Sequence, residues 1–163
     1  MKKDYQIALG LIALLIGMDQ ITKAVVRVTM ELHQSITLIP QVLSFTSHRN
    51  TGAAWGLLDG QTFLLILITV AALGLFVYLG KDVDFKHKRI FSIGIALLLA
   101  GAIGNFIDRV LFAEVVDFID AVVIKSIFGR GFPVFNIADM CLTIGMVLFG
   151  YDTLFLEPRR EKA

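Results

Sequence analysis

The chain has 163 residues, 56% of them hydrophobic and 18% charged, with a mean hydropathy of +0.77. This balance excludes a water-soluble globule and points to an integral membrane protein. A net charge of +1, with no run of Lys and Arg forming a basic face, excludes nucleic acid as a partner, and a single cysteine, Cys141, excludes an intrachain disulfide framework or a thiolate metal cluster.

Four apolar stretches, approximately 7–26, 62–80, 90–107 and 137–155, meet the roughly 20-residue requirement for crossing the hydrocarbon core. No internal repeat, low-complexity segment or linker divides the chain, so residues 1–163 read as one membrane domain. The predicted fold is an all-α membrane protein of four transmembrane helices, with short extracytoplasmic β segments and an interfacial loop or helix.

The first stretch begins like a secretory signal peptide, Lys2 and Lys3 followed by IALGLIALLIG. Asp19, Gln20 and Lys23 follow in place of a small-x-small cleavage site, which makes it a retained span. Asp19 and Lys23 lie one helical turn apart near its outer end and can pair on one face. They read either as a structural ion pair with Lys23 snorkelling outward or as a pair shaping a site. Residues 36–47, ITLIPQVLSFTS, are rich in β-branched and aromatic residues, which predicts short strands, with Pro40 arguing against a central one. HRNTGAAWGLLDG then packs Gly and small residues around Trp55, as in a loop where backbone approaches something closely; Trp55 suits the headgroup level.

The second span, FLLILITVAALGLFVYLG, carries no charge. The third ends in GAIGNFIDR, where Asn105, Asp108 and Arg109 stand at i, i+3 and i+4 behind the small residues Gly101, Ala102 and Gly104. The polar residues either hydrogen-bond across packed helices or grip a lipid headgroup or peptide carbonyl. VVDFIDAVVIKSIF has apolar residues on both sides of Asp117 and Asp120 and allows a short helix in the interface. The fourth span opens on FNIAD, with Asp139 inside the apolar run.

Orientation follows from the basic residues. Lys2, Lys3, Lys81, Lys86, Lys88, Arg89, Arg159, Arg160 and Lys162 crowd three short segments, whereas the long connections 27–59 and 108–136 hold only Arg27, Arg49, Arg109, Lys125 and Arg130. The positive-inside rule predicts both termini in the cytoplasm and the long connections outside.

An ionised carboxylate at the position of Asp139 costs several kcal/mol (on the order of 3) unless it is compensated. With Asp117 or Asp120 folded back beside it, two close carboxylates would share a proton and serve as acid and base together, the chemistry of an aspartic protease. On the residues alone, Asp139, with Asn136, is equally explained as an N-terminal helix cap. The histidines His33, His48 and His87 lack H-E-x-x-H spacing and no G-x-S-x-G elbow occurs, so zinc and serine hydrolases have no support. Cys141, without a neighbouring His, reads as a packing residue. A small proton-coupled transporter with Asp19 and Asp139 as relay groups, or a scaffold glued by its polar residues, are the rival readings. Clustering of the protonatable groups toward the outer end favours an enzyme.

Five blocks, DQITK at 19–23, RNTGAAWG at 49–56, GAIGNFIDR at 101–109, VVDFI at 115–119 and FNIAD at 135–139, occur in an order and topology that closely resemble the bacterial lipoprotein signal peptidases, signal peptidase II. The resemblance implies a cofactor-free, metal-free aspartic endopeptidase of the bacterial cytoplasmic membrane, working near its outer face. It would remove signal peptides from prolipoproteins, cutting just before a cysteine that carries diacylglycerol, and would be inhibited by globomycin-type compounds. It implies Asp117 and Asp139 as the catalytic pair, and Asp19, Lys23, Asn50, Gly52, Asn105, Asp108, Arg109 and Asn136 as residues that build and line the site. The segment 118–134 looks longer than in that family, and Met140 replaces a small polar residue after FNIAD.

Overall fold

The computed structural model describes residues 2–124 and 132–160. Helix α1 spans Lys2–Thr29, α2 Thr62–Leu79, α3 Arg89–Phe112 and α4 Ile137–Tyr151. The last continues through a π-helical turn at Asp152–Leu156 into Glu157–Arg160. Among the described residues four helices are long and apolar enough to cross a membrane, the number expected from the sequence. The third runs about one turn past its expected end, so Asp108 and Arg109 are helical residues. It stops at Ala113, whose left-handed φ of 60° lets its N–H cap the Arg109 carbonyl.

Helix α3 is the centre of the bundle and packs on α1, α2 and α4. Its small residues make this possible, because neighbouring backbones sit where a side chain would stand. A Cβ on Gly101 would lie 2.4 Å from the Ala138 carbonyl oxygen on α4, and one on Gly104 would lie 2.7 Å from the Asp19 carboxylate on α1. Toward the end of the bundle that holds the first residues of α1, Ala8, Val83, Phe91, Ile95 and Leu98 form one apolar cluster. At the opposite end Val26, Met30, Val116 and Phe118 form another, beneath a small sheet.

That sheet is antiparallel in the order β1-β2-β3, with β1 at Ser35–Ile39, β2 at Leu43–Asn50 and β3 at Val115–Asp120. The strands expected over 36–47 are β1 and the first part of β2, and Pro40 sits in the turn between them. There the Val42 N–H returns to the Ile39 carbonyl at 3.0 Å, with positive φ only at Gln41, as a type II turn with Pro at its second position requires. The segment expected as an interfacial helix is corrected in its first half: Val115–Asp120 is a strand, because its β-branched residues pair with β2. Helical turns begin only at 122–124; the remainder of that expectation, 125–128, lies outside the described residues, as do residues 125–131 of the longer connection 118–134.

Two features of the sheet place the site. Between Phe45 and His48 the pairing with β3 slips by one residue, a bulge that bends β2 and brings Asn50 toward Asp117. On the other side of β3, Phe135 bridges Ile119 through hydrogen bonds of 2.7 and 3.1 Å, which fixes the start of α4 beside Asp117.

Candidate active site

The polar residues in this region come from α1, α3, α4, β2, β3 and the Gly52 loop, and together they form one hydrogen-bonded network. Asp117, on β3, is 2% exposed. Its Oδ1 accepts from Asn136 Nδ2 at 2.7 Å and its Oδ2 from Asn50 Nδ2 at 2.9 Å. Burial, followed by the charge of Asp139, pushes the Asp117 carboxyl up to about 7, against the pull of these two amides and of Lys23. Asp139, at the N-terminus of α4, accepts from Asn105 Nδ2 at 2.7 Å and from the Asn136 backbone N–H at 3.1 Å.

Asn136 is the N-cap of α4, and its Oδ1 accepts from the Asp139 N–H at 2.9 Å, completing a reciprocal capping box. The capping reading of Asp139 holds and leaves an oxygen over: Oδ2 closes the helix end and Oδ1 meets Asn105 of α3. The two carboxylates line the same cavity.

The amides are oriented from behind. Asn105 Oδ1 accepts from Lys23 Nζ at 2.9 Å, which turns the Asn105 amino group toward Asp139. Lys23 is 1% exposed and bonded to Asp19 at 2.8 Å and to Asp108 at 3.5 Å. The snorkelling reading of Lys23 is thus corrected: its ammonium points into the bundle, where two carboxylates and an amide oxygen compensate a charge that hydrocarbon would not accommodate. Asp19 also accepts the Ala138 N–H at 2.9 Å, and Asp108 the Val116 N–H at 3.1 Å, so this ion cluster fastens α1 and α3 to the starts of α4 and β3.

On the other flank, Asn50 Oδ1 accepts the Gly52 N–H at 2.9 Å, and the Gly52 carbonyl accepts from Arg109 Nη2 at 2.9 Å. A side chain at Gly52 would meet the Leu57 carbonyl at 2.8 Å, so the loop closes this tightly only with glycine there.

A cavity of about 740 Å³ opens beside the carboxylates, walled by Ile68, Ala72 and Phe76 of α2 and by Leu142 and Ile144 of α4. Apolar walls, two carboxylates and a few amides at one end suit a largely apolar ligand with one polar bond to be processed. Asp120 takes no part. It lies three residues along β3 from Asp117, on the opposite face, where Thr46 approaches it.

All ten residues singled out from the sequence meet in this network. Comparison with known proteins supplies the family: residues 11–155 match the model described as Signal peptidase (SPase) II. The chain belongs to the signal peptidase II family. The lipoprotein signal peptidase of Staphylococcus carnosus is 46% identical over 99% of both chains, and that of Listeria monocytogenes serotype 4b is 45% identical over 97% of this chain and 96% of its own. A bacterial membrane enzyme solved by the in meso method at 2.3 Å resolution superimposes with a TM-score of 0.83 at 42% identity, covering 97% of this chain and 92% of the other. A second, at 1.9 Å, gives a TM-score of 0.80 at 43% identity, covering 92% and 94%. This signal peptidase II is accordingly a multi-pass membrane hydrolase.

Sequence reasoning missed one contributor to the site, Gln20, and one buried carboxylate away from it, Asp152. Gln20 Nε2 donates to the Gly104 carbonyl at 3.1 Å and to Asp19 at 3.0 Å, tying α1 to α3; its signal was a polar amide inside an apolar span. Asp152, 1% exposed at the other end of α4, is held by both terminal nitrogens of Arg160. The π-helical turn between them sets a spacing that an α-helical reading does not suggest.

Proposed function

We propose that this protein removes the signal peptide of diacylglyceryl-modified prolipoproteins by cutting N-terminal to the lipidated cysteine, with Asp117 and Asp139 activating the attacking water. Membership of the family supports prolipoproteins as substrates. The observation that carries the mechanism is a buried carboxylate, Asp117, and a partly buried one, Asp139, each held by amide donors at one end of an apolar cavity.

In this reading the pair holds one proton between its members, resting on Asp117 up to about pH 7. Asp139, facing two donors at a helix N-terminus, carries the negative charge and takes a proton from water as that water attacks the scissile carbonyl. The protonated Asp117 polarises the carbonyl oxygen and the pair then delivers a proton to the leaving nitrogen. Arg109 holds the Gly52 loop against the site while Lys23 keeps the Asn105 amide turned toward Asp139. The signal helix and the acyl chains would lie in the apolar cavity, where globomycin-type inhibitors would compete with them.

The distribution of Lys and Arg supports a bacterial cytoplasmic membrane setting with both termini in the cytoplasm and the site near the outer face. A substrate anchored by a signal helix and a lipid presents its scissile bond at that same depth.

The test is cleavage of a diacylglyceryl prolipoprotein peptide by the purified protein beside Asp117→Asn, Asp139→Asn and Asp120→Asn. The first two are expected to remain folded and to lose about 10²-fold or more of kcat/KM, while Asp120→Asn stays far milder. Full activity in either of the first two would overturn the two-aspartate mechanism.

A further inference from the structure

A second cavity, of about 490 Å³, meets the first at Asp117: Asn50, Trp55 and Asp117 line both. The first runs down between apolar helix faces. The second lies among the end of β2 and the Gly52 loop, with Arg49, Thr51 and Asp59 on its wall. A peptide laid across Asp117 would therefore have one flank against apolar helix faces and the other against a mixed wall, where these polar and charged side chains stand beside Trp55, Phe132 and Val134. The substrate proposed above has the same asymmetry, a signal helix before the cut and a water-soluble polypeptide after it.

Asp59 has a fixed place in that second cavity. Ala53 N–H donates to the Leu57 carbonyl at 2.7 Å, closing the loop, and a Cβ on Gly52 would sit 3.3 Å from Asp59 Cα. The loop that holds Asn50 against Asp117 thus also sets the distance from Asp59 to the carboxylate pair. The charges on the wall are not balanced. Arg49 is engaged, its Nε 3.4 Å from Glu114 and its Nη1 donating to Ser47 Oγ at 3.1 Å. Asp59 accepts from the neutral Thr51 hydroxyl, and among the described residues no cation pairs with it. An unbalanced carboxylate beside a bound peptide attracts a cation and repels an anion.

We infer that the second cavity receives the polypeptide that follows the lipidated cysteine, and that Asp59 makes the enzyme favour a basic over an acidic residue there. The inference rests on the cleavage reading above and assigns a specificity residue outside the carboxylate pair.

The experiment uses the purified full chain and three diacylglyceryl peptides that differ only at the second residue after the cysteine: Ser, Lys or Glu. For the parent, kcat/KM for the Lys peptide should exceed that for the Glu peptide by about 3- to 10-fold, the size expected from one solvent-exposed charge acting on both. The difference should lie mainly in KM and shrink in about 1 M salt, where the screening length falls to about 3 Å. Asp59→Asn, which keeps an acceptor for Thr51, should abolish the preference, and Asp59→Lys should invert it. A parent without preference, or an Asp59→Asn variant that slows all three peptides equally, would overturn the inference while leaving the cleavage reading intact. No cleavage of the Ser peptide by the parent would overturn the cleavage reading itself, and this inference with it.

Discussion

Helices α2 and α3 look alike as membrane spans, and α2 is the more apolar, yet 61% of the α3 span is buried inside the protein against 6% of the α2 span. Hydropathy cannot explain this, since lipid accepts an apolar face as readily as another helix does. The difference lies in what apolar residues leave between them. Gly74 on α2 has nothing within 4 Å of a Cβ position, whereas Gly94, Gly101 and Gly104 on α3 each have a neighbour inside 3 Å. Helix α3 also ends in Asn105 and Asp108, which hydrocarbon would penalise and which Lys23 and Gln20 of α1 satisfy. Small residues allow the contact and buried polar residues demand it; α2 has neither need and serves as one wall of the cavity.

The strongest way to break this contrast is to remove the cation that polar packing on α3 depends on. Lys23→Met leaves Asp19 and Asp108 buried without their partner, a loss of about 3–5 kcal/mol. Thermal unfolding of the purified protein in detergent should show a large drop in Tm or no folded protein; a Tm close to the parent's would mean the ion cluster is dispensable. Gly101→Ala comes next, since its methyl group collides with the α4 backbone. A cost of about 1–3 kcal/mol is expected, together with loss of cleavage out of proportion to it, because α4 carries Asp139.

A third measurement concerns pH. The Asp117 carboxyl is raised from 3.8 to about 7 in the folded protein, so between those values the folded state holds a proton that the unfolded chain has released. Stability tied to this group is therefore greatest below about pH 4, declines as pH rises, and is fully lost above about pH 7. Asp117→Asn removes that dependence. Melting curves from pH 4 to 8 should be flatter for the variant, and equal slopes would place the titration elsewhere.

The smallest effect should come from Gly74→Ala on α2. With open space around it and better helix propensity, this change should leave Tm unaltered or raise stability by at most about 1 kcal/mol. A clear loss would show that α2 makes a close contact after all.

Much of this protein was legible in its residues. The four spans, the short strands around Pro40 and the unusual polar residues at 19–23, 105–109 and 136–139 follow from hydropathy, residue propensity and the cost of burying charge, all of which act locally. The first half of the 115–128 segment was misread because its apolar residues on both sides of Asp117 suit either a helix or a strand buried on both faces. Pairing with β2 decided it.

What the sequence alone determined was which segments enter the membrane and which groups could not lie there uncompensated. Only the tertiary structure decided how they are compensated. The Phe135–Ile119 bridge sets the start of α4 beside β3, where the strand's alternation presents Asp117 and puts Asp120 on the opposite face. The small residues of α3 let Ala138 come close enough for Asp19 to bond its N–H. That approach brings Asn105 within 2.7 Å of Asp139, and Lys23 on α1 sets which end of its amide points there. A carboxylate's cost can be read from its own position in the chain, but its partners come from residues far away in sequence, and packing alone brings them into reach.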